Sequence, residues 1–592
     1  MSFKAEAGNS AVVRKTLFRL LPAQIMLAAS SALTVIISSL FAGNVIGPEA
    51  MTAVGLYSPV NMLIGALTLM MVSGSQILCG RYMGKNQLEQ TGAVFTLDLV
   101  TTLTAAAVIT LILLLGAGLN LTVWICADAA ARAYLNLYII GQAAGVIPLM
   151  MTQQLAAFLS LENQNRRTAA GVAVLLAATM LFNYLFVVRM HAGTLGLALA
   201  ASLSQWALLC VQAGYFLSGK SKVKFKRNSM RRHDAVEIIL LGAAGSISYC
   251  WQALRGLVLN NLILQYVGSA GVSALATANT LLSVFWAVPA GMIAVSRMLM
   301  SVAVGEEDRQ TLIDVMKNMI RRFVPLTAVM AVCLAACAVP FTRLYYRDVA
   351  APVYQLTVQG FRLLPLCMPL SVICMHFVGL NQVFGKQLPV NLLSLLDGVV
   401  FVAGFSALLT PAWGLRGVYI ANILNGLCLL PVILCYTCLH RRRLPETPEA
   451  VLALPDTFGA GDDDRMDMTM ASMEEVVNVA QQVEAFCRTK GFDERKSELA
   501  GLAMEEMAGN VVAHGFRKDS KKHAVDIRVV CKADDLILRV RDDCVPFDPE
   551  ERSRIVDPED ITKNIGIRMI YGLAEQVRYQ NMLGLNVLTI RM

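Results

Sequence analysis

Apolar residues fill the first 440 positions in long blocks that short polar breaks interrupt. Twelve such spans lie near 17–42, 53–79, 91–116, 133–159, 168–188, 193–217, 236–263, 270–300, 318–340, 353–379, 387–409 and 414–439. Each is long enough to cross a hydrocarbon layer of roughly 30 Å as a helix rising about 1.5 Å per residue. From Leu444 to about Asp464 the chain turns to Pro, Gly and acidic residues without periodicity, which reads as a linker. Beyond it, period-2 and period-3.6 patterns take turns. They predict a strand over 466–471, helices over about 473–490 and 494–514, and strands over 524–532 and 535–541. Asp493 is placed to cap the second helix. A polar stretch at 549–563 precedes a helix near 565–575 and strands over 576–580 and 585–591. The expectation is a multidomain chain: an all-α polytopic membrane domain of twelve helices, then a small α+β sandwich.

The first half of the membrane part recurs in the second. Gly47/Gly268, Gly84/Gly305, Pro148/Pro369, Gly193/Gly414 and Gly196/Gly417 all differ by 221 positions. Five Gly or Pro pairs at one offset point to a duplicated six-helix unit, repeat 1 over about 17–217 and repeat 2 over about 236–440. Because six is even, the copies run the same way and are related by an axis along the membrane normal, an architecture that transporters use.

Composition sharpens this division. Of 592 residues, 56% are hydrophobic and 16% charged. Residues 1–440 carry 28 basic and 14 acidic side chains, and residues 441–592 carry 22 and 28. That balance excludes a secreted protein, a purely soluble enzyme and a globally basic nucleic-acid binder. Connections after even spans are the more basic, above all the one holding Lys220, Lys222, Lys224, Lys226, Arg227, Arg231 and Arg232. The positive-inside rule then puts both termini in the cytoplasm of a multi-pass plasma-membrane protein. The fourteen cysteines lie mostly inside apolar runs, as small hydrophobes rather than a disulfide framework. The domains expected are an N-terminal segment 1–16, a membrane domain 17–440, a linker 441–465 and a soluble domain 466–592.

Gly47-Pro48-Glu49-Ala50-Met51-Thr52-Ala53-Val54-Gly55 and Gly74-Ser75 leading to Gly84-Lys85-Asn86 resemble the multidrug and toxic compound extrusion (MATE) family. The second-half counterpart is Gly268-Ser269-Ala270-Gly271-Val272-Ser273-Ala274-Leu275, ending at Gly305-Glu306-Glu307-Asp308. The resemblance covers roughly residues 15–440. It implies an antiporter that exchanges H+ or Na+ for small organic compounds bound between two six-helix lobes in the lipid bilayer. Many members carry an aspartate in the first helix about five residues before the glycine matching Gly43; this chain has Ser38-Ser39 there. Ionisable residues well inside predicted spans are Asp98, Asp397, Arg255 and His376. Such groups cost roughly 2.5–3.5 kcal/mol at a helix centre on insertion scales, so they mark a substrate or ion pathway, or a helix-packing pair such as Arg255 with either aspartate.

Gly214-Tyr215-Phe216-Leu217-Ser218-Gly219-Lys220-Ser221 satisfies the P-loop pattern GxxxxGK[ST], but it closes a membrane helix instead of following a strand, so it carries no phosphate-binding expectation. The tail is more informative. Glu506, Asn510 and His514 are spaced i, i+4, i+8 and share one helix face. An amide oxygen can ligate a hard cation, and a carboxylate beside it can accept a proton. Further blocks follow in order: Val540-Arg541-Asp542-Asp543-Cys544-Val545-Pro546-Phe547-Asp548-Pro549, then Asn564-Ile565-Gly566-Ile567, then Gly584 with the closing strand.

Together these resemble the Bergerat-type ATPase fold of histidine kinases, heat-shock chaperones and gyrases, with the nearest likeness to anti-sigma-factor serine kinases. By that resemblance Glu506 is the general base, Asn510 the Mg2+ ligand and Asp542 the acid that reads adenine, with Asn564 and Gly566 in the phosphate loop of an ATP site. Cys544 and Asn564 stand where that family has glycines. No long dimerising helix with a phosphoacceptor histidine precedes the domain. The leading expectation is an exporter regulated by, or signalling through, its kinase-like domain. The alternative is a membrane receptor whose domain phosphorylates a soluble serine-bearing protein. ATP-driven transport ranks last.

Overall fold

The computed structural model describes residues 3–592 apart from 125–127, 227–230, 443, 448, 456–457, 462, 517–522, 533–534, 547 and 550–564. Among the described residues, twelve helices are long and apolar enough to cross a membrane. They are α1 (Phe3–Phe41), α2 (Pro48–Gly84), α3 (Leu88–Gly118), α4 (Ala129–Leu161), α5 (Asn165–Arg189) and α6 (Gly193–Leu217) in the first lobe. The second lobe has α7 (Arg232–Tyr266), α8 (Ser269–Gly305), α9 (Arg309–Ala336), α10 (Pro352–Val383), α11 (Gln387–Trp413) and α12 (Leu415–Arg441). The count and order match the apolar blocks. The main differences are at helix ends, where polar turns continue the backbone hydrogen bonding past the apolar stretch, as in the N-terminal extension of α1.

The 221-residue repeat is a structural symmetry. Gly47 and Gly268, at φ 110° and 85°, precede α2 and α8, while Gly193 and Gly414, at φ 58° and 54°, stand at the starts of α6 and α12. Positive φ at these four corners is what glycine permits at little steric cost. Helices α2 and α8 cross so that equivalent residues meet. Arg297 Nε donates to Gln76 Oε1 at 3.2 Å, and a Cβ on Gly80 would strike Ser301. A Cβ on Gly84 would lie 2.8 Å from Gly305 Cα. Contact between residue i and its own equivalent occurs only on a two-fold axis, so the axis runs along this seam. Each lobe has a separate apolar core toward one side of the membrane, around Tyr57, Leu135 and Tyr138 in the first and Leu259, Phe361 and Tyr419 in the second. Toward the other side the two lobes share one continuous core containing Leu20, Ile77, Met298 and Phe377. Buried apolar packing thus joins the lobes on one face, the closed face, and is divided between them on the opposite one.

The soluble domain sits on the closed face. Its sheet has the order β1-β2-β3-β5-β4, wholly antiparallel, with β1 Arg465–Met470, β2 Val525–Lys532, β3 Asp535–Asp542, β4 Gln576–Met582 and β5 Leu585–Arg591. Helices α13 (Glu474–Thr489), α14 (Glu494–Asn510) and α15 (Ile565–Leu573) belong to the same domain, and the core between helices and sheet contains Val483, Met504, Ile527, Leu538 and Ile590. Asp493 caps α14 through its carboxylate and Lys496 N at 2.6 Å, as the sequence predicts. The linker is packed rather than free. Leu454 is buried in the shared core, Phe458 meets the Phe384 ring edge-on at 5.1 Å, and Arg309 donates to Pro455 O at 2.9 Å.

Candidate functional site

A cleft opens in the soluble domain between the end of α14 and strands β3, β4 and β5. Met507, Val511, Val540, Val545 and Leu588 give it apolar walls, and Asn510, His514, Asp542, Tyr579 and Asn586 supply polar groups. Period-2 alternation explains part of this: Val540 and Asp542 project to the same side of β3. The buried Asp542 carboxylate is the focus. Its Oδ1 accepts from Cys544 N at 2.9 Å and from Asn586 Nδ2 at 2.8 Å. Asn586 is held in turn by Tyr579 Oη and Asn581 Nδ2, each 2.8 Å from its Oδ1. Burial pushes the Asp542 carboxyl up from the ordinary carboxylate range, while the Asn586 and Cys544 donors work in the opposite direction. The arrangement is an apolar slot with one fixed acceptor at its base.

The expected residues divide into two groups. Asn510 and Asp542 line the cleft together. Glu506 stands one turn earlier on α14, where a side chain on Gly566 would collide with its carboxylate, so these two form a second close contact. Helix α14 ends in a wider turn, Val511–Gly515, with i→i+5 bonding. That turn alters the simple i+8 relation expected for His514, which is exposed at the cleft margin. Asn564 lies outside the described residues. Cys544 does line the cleft, and its Sγ would lie 3.1 Å from a Cβ on Gly515. Gly584 is in the β4–β5 hairpin turn with Leu583, both at positive φ, and this turn rests on the membrane part away from the cleft. Asn586 and Tyr579 were not identified in the sequence, because single polar residues in alternating strands resemble solvent-facing positions.

The intramembrane residues are spread over both lobes. Asp98 is fully buried on α3, beside Ser75 and Gln154; with the Gln154 amide turned, its nitrogen donates to Asp98 Oδ2 at 3.0 Å. Asp397 lies on α11 in a wide turn, accepts from Asn425 Nδ2 at 2.8 Å and has Arg255 as its neighbouring cation. The two aspartates therefore stand in different lobes, and Arg255 is near Asp397 alone. His376 is fully buried with both ring nitrogens engaged, by Ser296 Oγ at 2.9 Å and Val372 O at 2.7 Å. Arg297, on the axis, escaped the sequence reading; its partner Gln76 is 221 residues earlier, the same offset as the glycine pairs. The P-loop-like segment has no nucleotide geometry: Gly214 is inside α6 and Ser221 Oγ donates to Glu162 at 2.6 Å.

Comparison with known proteins supports this division of the chain. The family described as MatE matches residues 22–189, and the one described as a histidine kinase-like ATPase domain matches residues 469–592. A crystal structure of MATE in complex with MaL6 aligns at 21% identity over 70% of this chain and 94% of the other, with a TM-score of 0.66. An outward-facing multidrug resistance MATE transporter of the MOP superfamily aligns at 20% identity over 71% and 94%, with a TM-score of 0.67. An aspartate-to-asparagine mutant of the Vibrio cholerae MATE transporter VcmN aligns at 16% identity over 75% and 99%, also at 0.67. No curated protein matches.

Proposed function

Starting from a chain that joins a MatE domain of MATE fold to a histidine kinase-like ATPase domain, we propose that it exports small organic compounds in exchange for H+ or Na+, under control of Mg·ATP bound to its soluble domain. The observation that carries the regulatory half is the apolar cleft with Asp542 fixed at its base and Asn510 on its wall. A flat purine suits the walls, and the carboxylate suits an exocyclic amino donor. The Asn510 amide oxygen would hold the Mg2+ that neutralises the phosphates. Glu506 is the candidate base, and a serine-bearing protein would be its phosphoacceptor. The basic connections belong to the face that bears this domain, so that face is cytoplasmic on the positive-inside rule, in keeping with access to ATP. Asp98 and Asp397, one in each lobe, are the candidate ion-coupling carboxylates, with Arg255 tuning the second. We assign His376 to helix packing.

Two measurements test this reading. The full-length protein in detergent is expected to bind Mg·ATP, and Asn510→Ala to abolish that binding; equal affinity in the two would overturn the assignment. Cells carrying the chain are expected to accumulate substrate when the membrane gradient is collapsed. Accumulation indifferent to the gradient would favour the receptor alternative.

A further inference from the structure

The sheet of the ATPase domain has two covered faces. One packs on its own helices. The other rests on the closed face of the membrane part, where Arg528, Arg539 and Arg541 are 7%, 7% and 5% exposed. Two loops of the membrane part receive it, α2–α3 and α8–α9, and these are the same loop in the two repeats. Asn86 and Glu307, 221 residues apart, even share a left-handed backbone at φ 57° and 52°.

The domain holds the two loops by different chemistry. On the second lobe, Arg539 pairs with Glu306 and donates to Asp308 Oδ2 at 2.7 Å, while Arg528 pairs with the other Asp308 oxygen. Asp308 also caps α9, accepting from Thr311 N and Oγ1 at 2.8 Å each. On the first lobe the partners are backbone carbonyls: Gln580 donates to Met83 O at 2.9 Å and Arg578 to Asn86 O at 3.1 Å. The β4–β5 turn adds Leu583 N to Leu161 O at 2.9 Å, and Arg19 donates to Leu583 O at 2.5 Å. The carboxylates at 306 and 308 have Lys85 and Gln87 as their equivalents, so an asymmetric domain on a two-fold axis can dock in one orientation.

We propose that the ATPase domain is a reversible clamp that bridges the two symmetry-related loops and holds the lobes closed on this face. The proposal rests on reading the lobes as the moving halves of a transporter, because rocking one half against the other would have to part these loops. Buried ion pairs give strict geometry with little net stabilisation, since desolvation offsets much of their attraction. That balance suits a contact made and broken in each cycle. The clamp also touches the cleft: Lys15 of α1 pairs with Asp543, the residue after Asp542, whose other oxygen is 2.8 Å from His523 Nδ1.

The test uses the full-length chain in nanodiscs, with genetically encoded spin labels at Lys85 and Glu307 and hydrogen exchange of residues 83–87 and 304–309. Arg539→Glu is expected to broaden the distance distribution and raise exchange in both loops at least tenfold. Adding Glu306→Arg together with Asp308→Asn, which leaves no carboxylate facing position 539 and keeps a capping oxygen on α9, should restore both readouts. Arg591→Glu, which breaks an exposed pair with Asp535, should change neither. Arg578→Ala with Gln580→Ala, which releases the first-lobe carbonyls without introducing a buried like charge, should reproduce the broadening. Unchanged loops in Arg539→Glu, no rescue by the swap, or an unchanged distance in the double alanine variant would each overturn the clamp. These readouts involve neither ATP nor substrate, so this proposal and the transport reading can fail separately.

Discussion

Asp542 shows how much one buried acceptor decides. Burial pushes its carboxyl up, whereas an exposed aspartate titrates near about 3.9. A carboxylate accepting from an adenine amino group must be ionised, so protons compete with the ligand at a higher pH than for an exposed aspartate. Mg·ATP affinity is therefore expected to weaken on acidification from neutrality, beginning above the ordinary aspartate range. Asp542→Asn, which cannot ionise, should bind more weakly and with a flatter pH profile; titration calorimetry of both proteins at several pH values checks this. Asp542 and Asn510 were legible only through motifs that resemble the Bergerat-type ATPase fold, the block at 540–549 and the i, i+4 row on a helix, and both line the cleft. Asn586 and Tyr579 were not, because what they do depends on register. Pairing Asp542 with Asn586 across β3 and β5 brings the amide to the carboxylate, and local sequence does not fix that alignment.

At the scale of elements, hydrophobic blocks gave the twelve helices and their order, because lipid requires each span to satisfy its own backbone and to be apolar throughout. The same uniformity hides which face of a helix meets its neighbour. The crossing of α2 and α8 was visible only as glycines at a fixed offset. A Cβ at Gly305 would strike Arg81 O and Gly84 Cα, whereas one at Gly55 has nothing within 4 Å. Gly305→Leu should therefore cost about 1–3 kcal/mol through overpacking, and lower the thermal midpoint in detergent. Gly55→Leu should leave the midpoint unchanged or raise it slightly. The packing of the linker was not legible for a related reason: Leu454 and Phe458 are single apolar residues in a polar stretch, and their burial depends on a core built far away in sequence.

At the scale of the whole molecule, the soluble domain is covered on both sides of its sheet. Leu583, Leu585 and Val587 belong to the core of the membrane part. Separated from that surface, a fragment spanning 465–592 would present an apolar strip beside three guanidinium groups. It is expected to self-associate, and Leu585→Lys with Val587→Lys to return it to a monomer, as light scattering after gel filtration would show; a monomeric unmodified fragment would contradict this. The packed linker has a consequence for any outside partner. Because the domain is tied to its own docking surface, the local concentration of that surface is of millimolar order for a short tether. A soluble protein seeking the same sheet face competes with a ligand that never diffuses away, and it succeeds only by high affinity or when something else has first loosened the domain. Abundance of that partner would then matter less than timing.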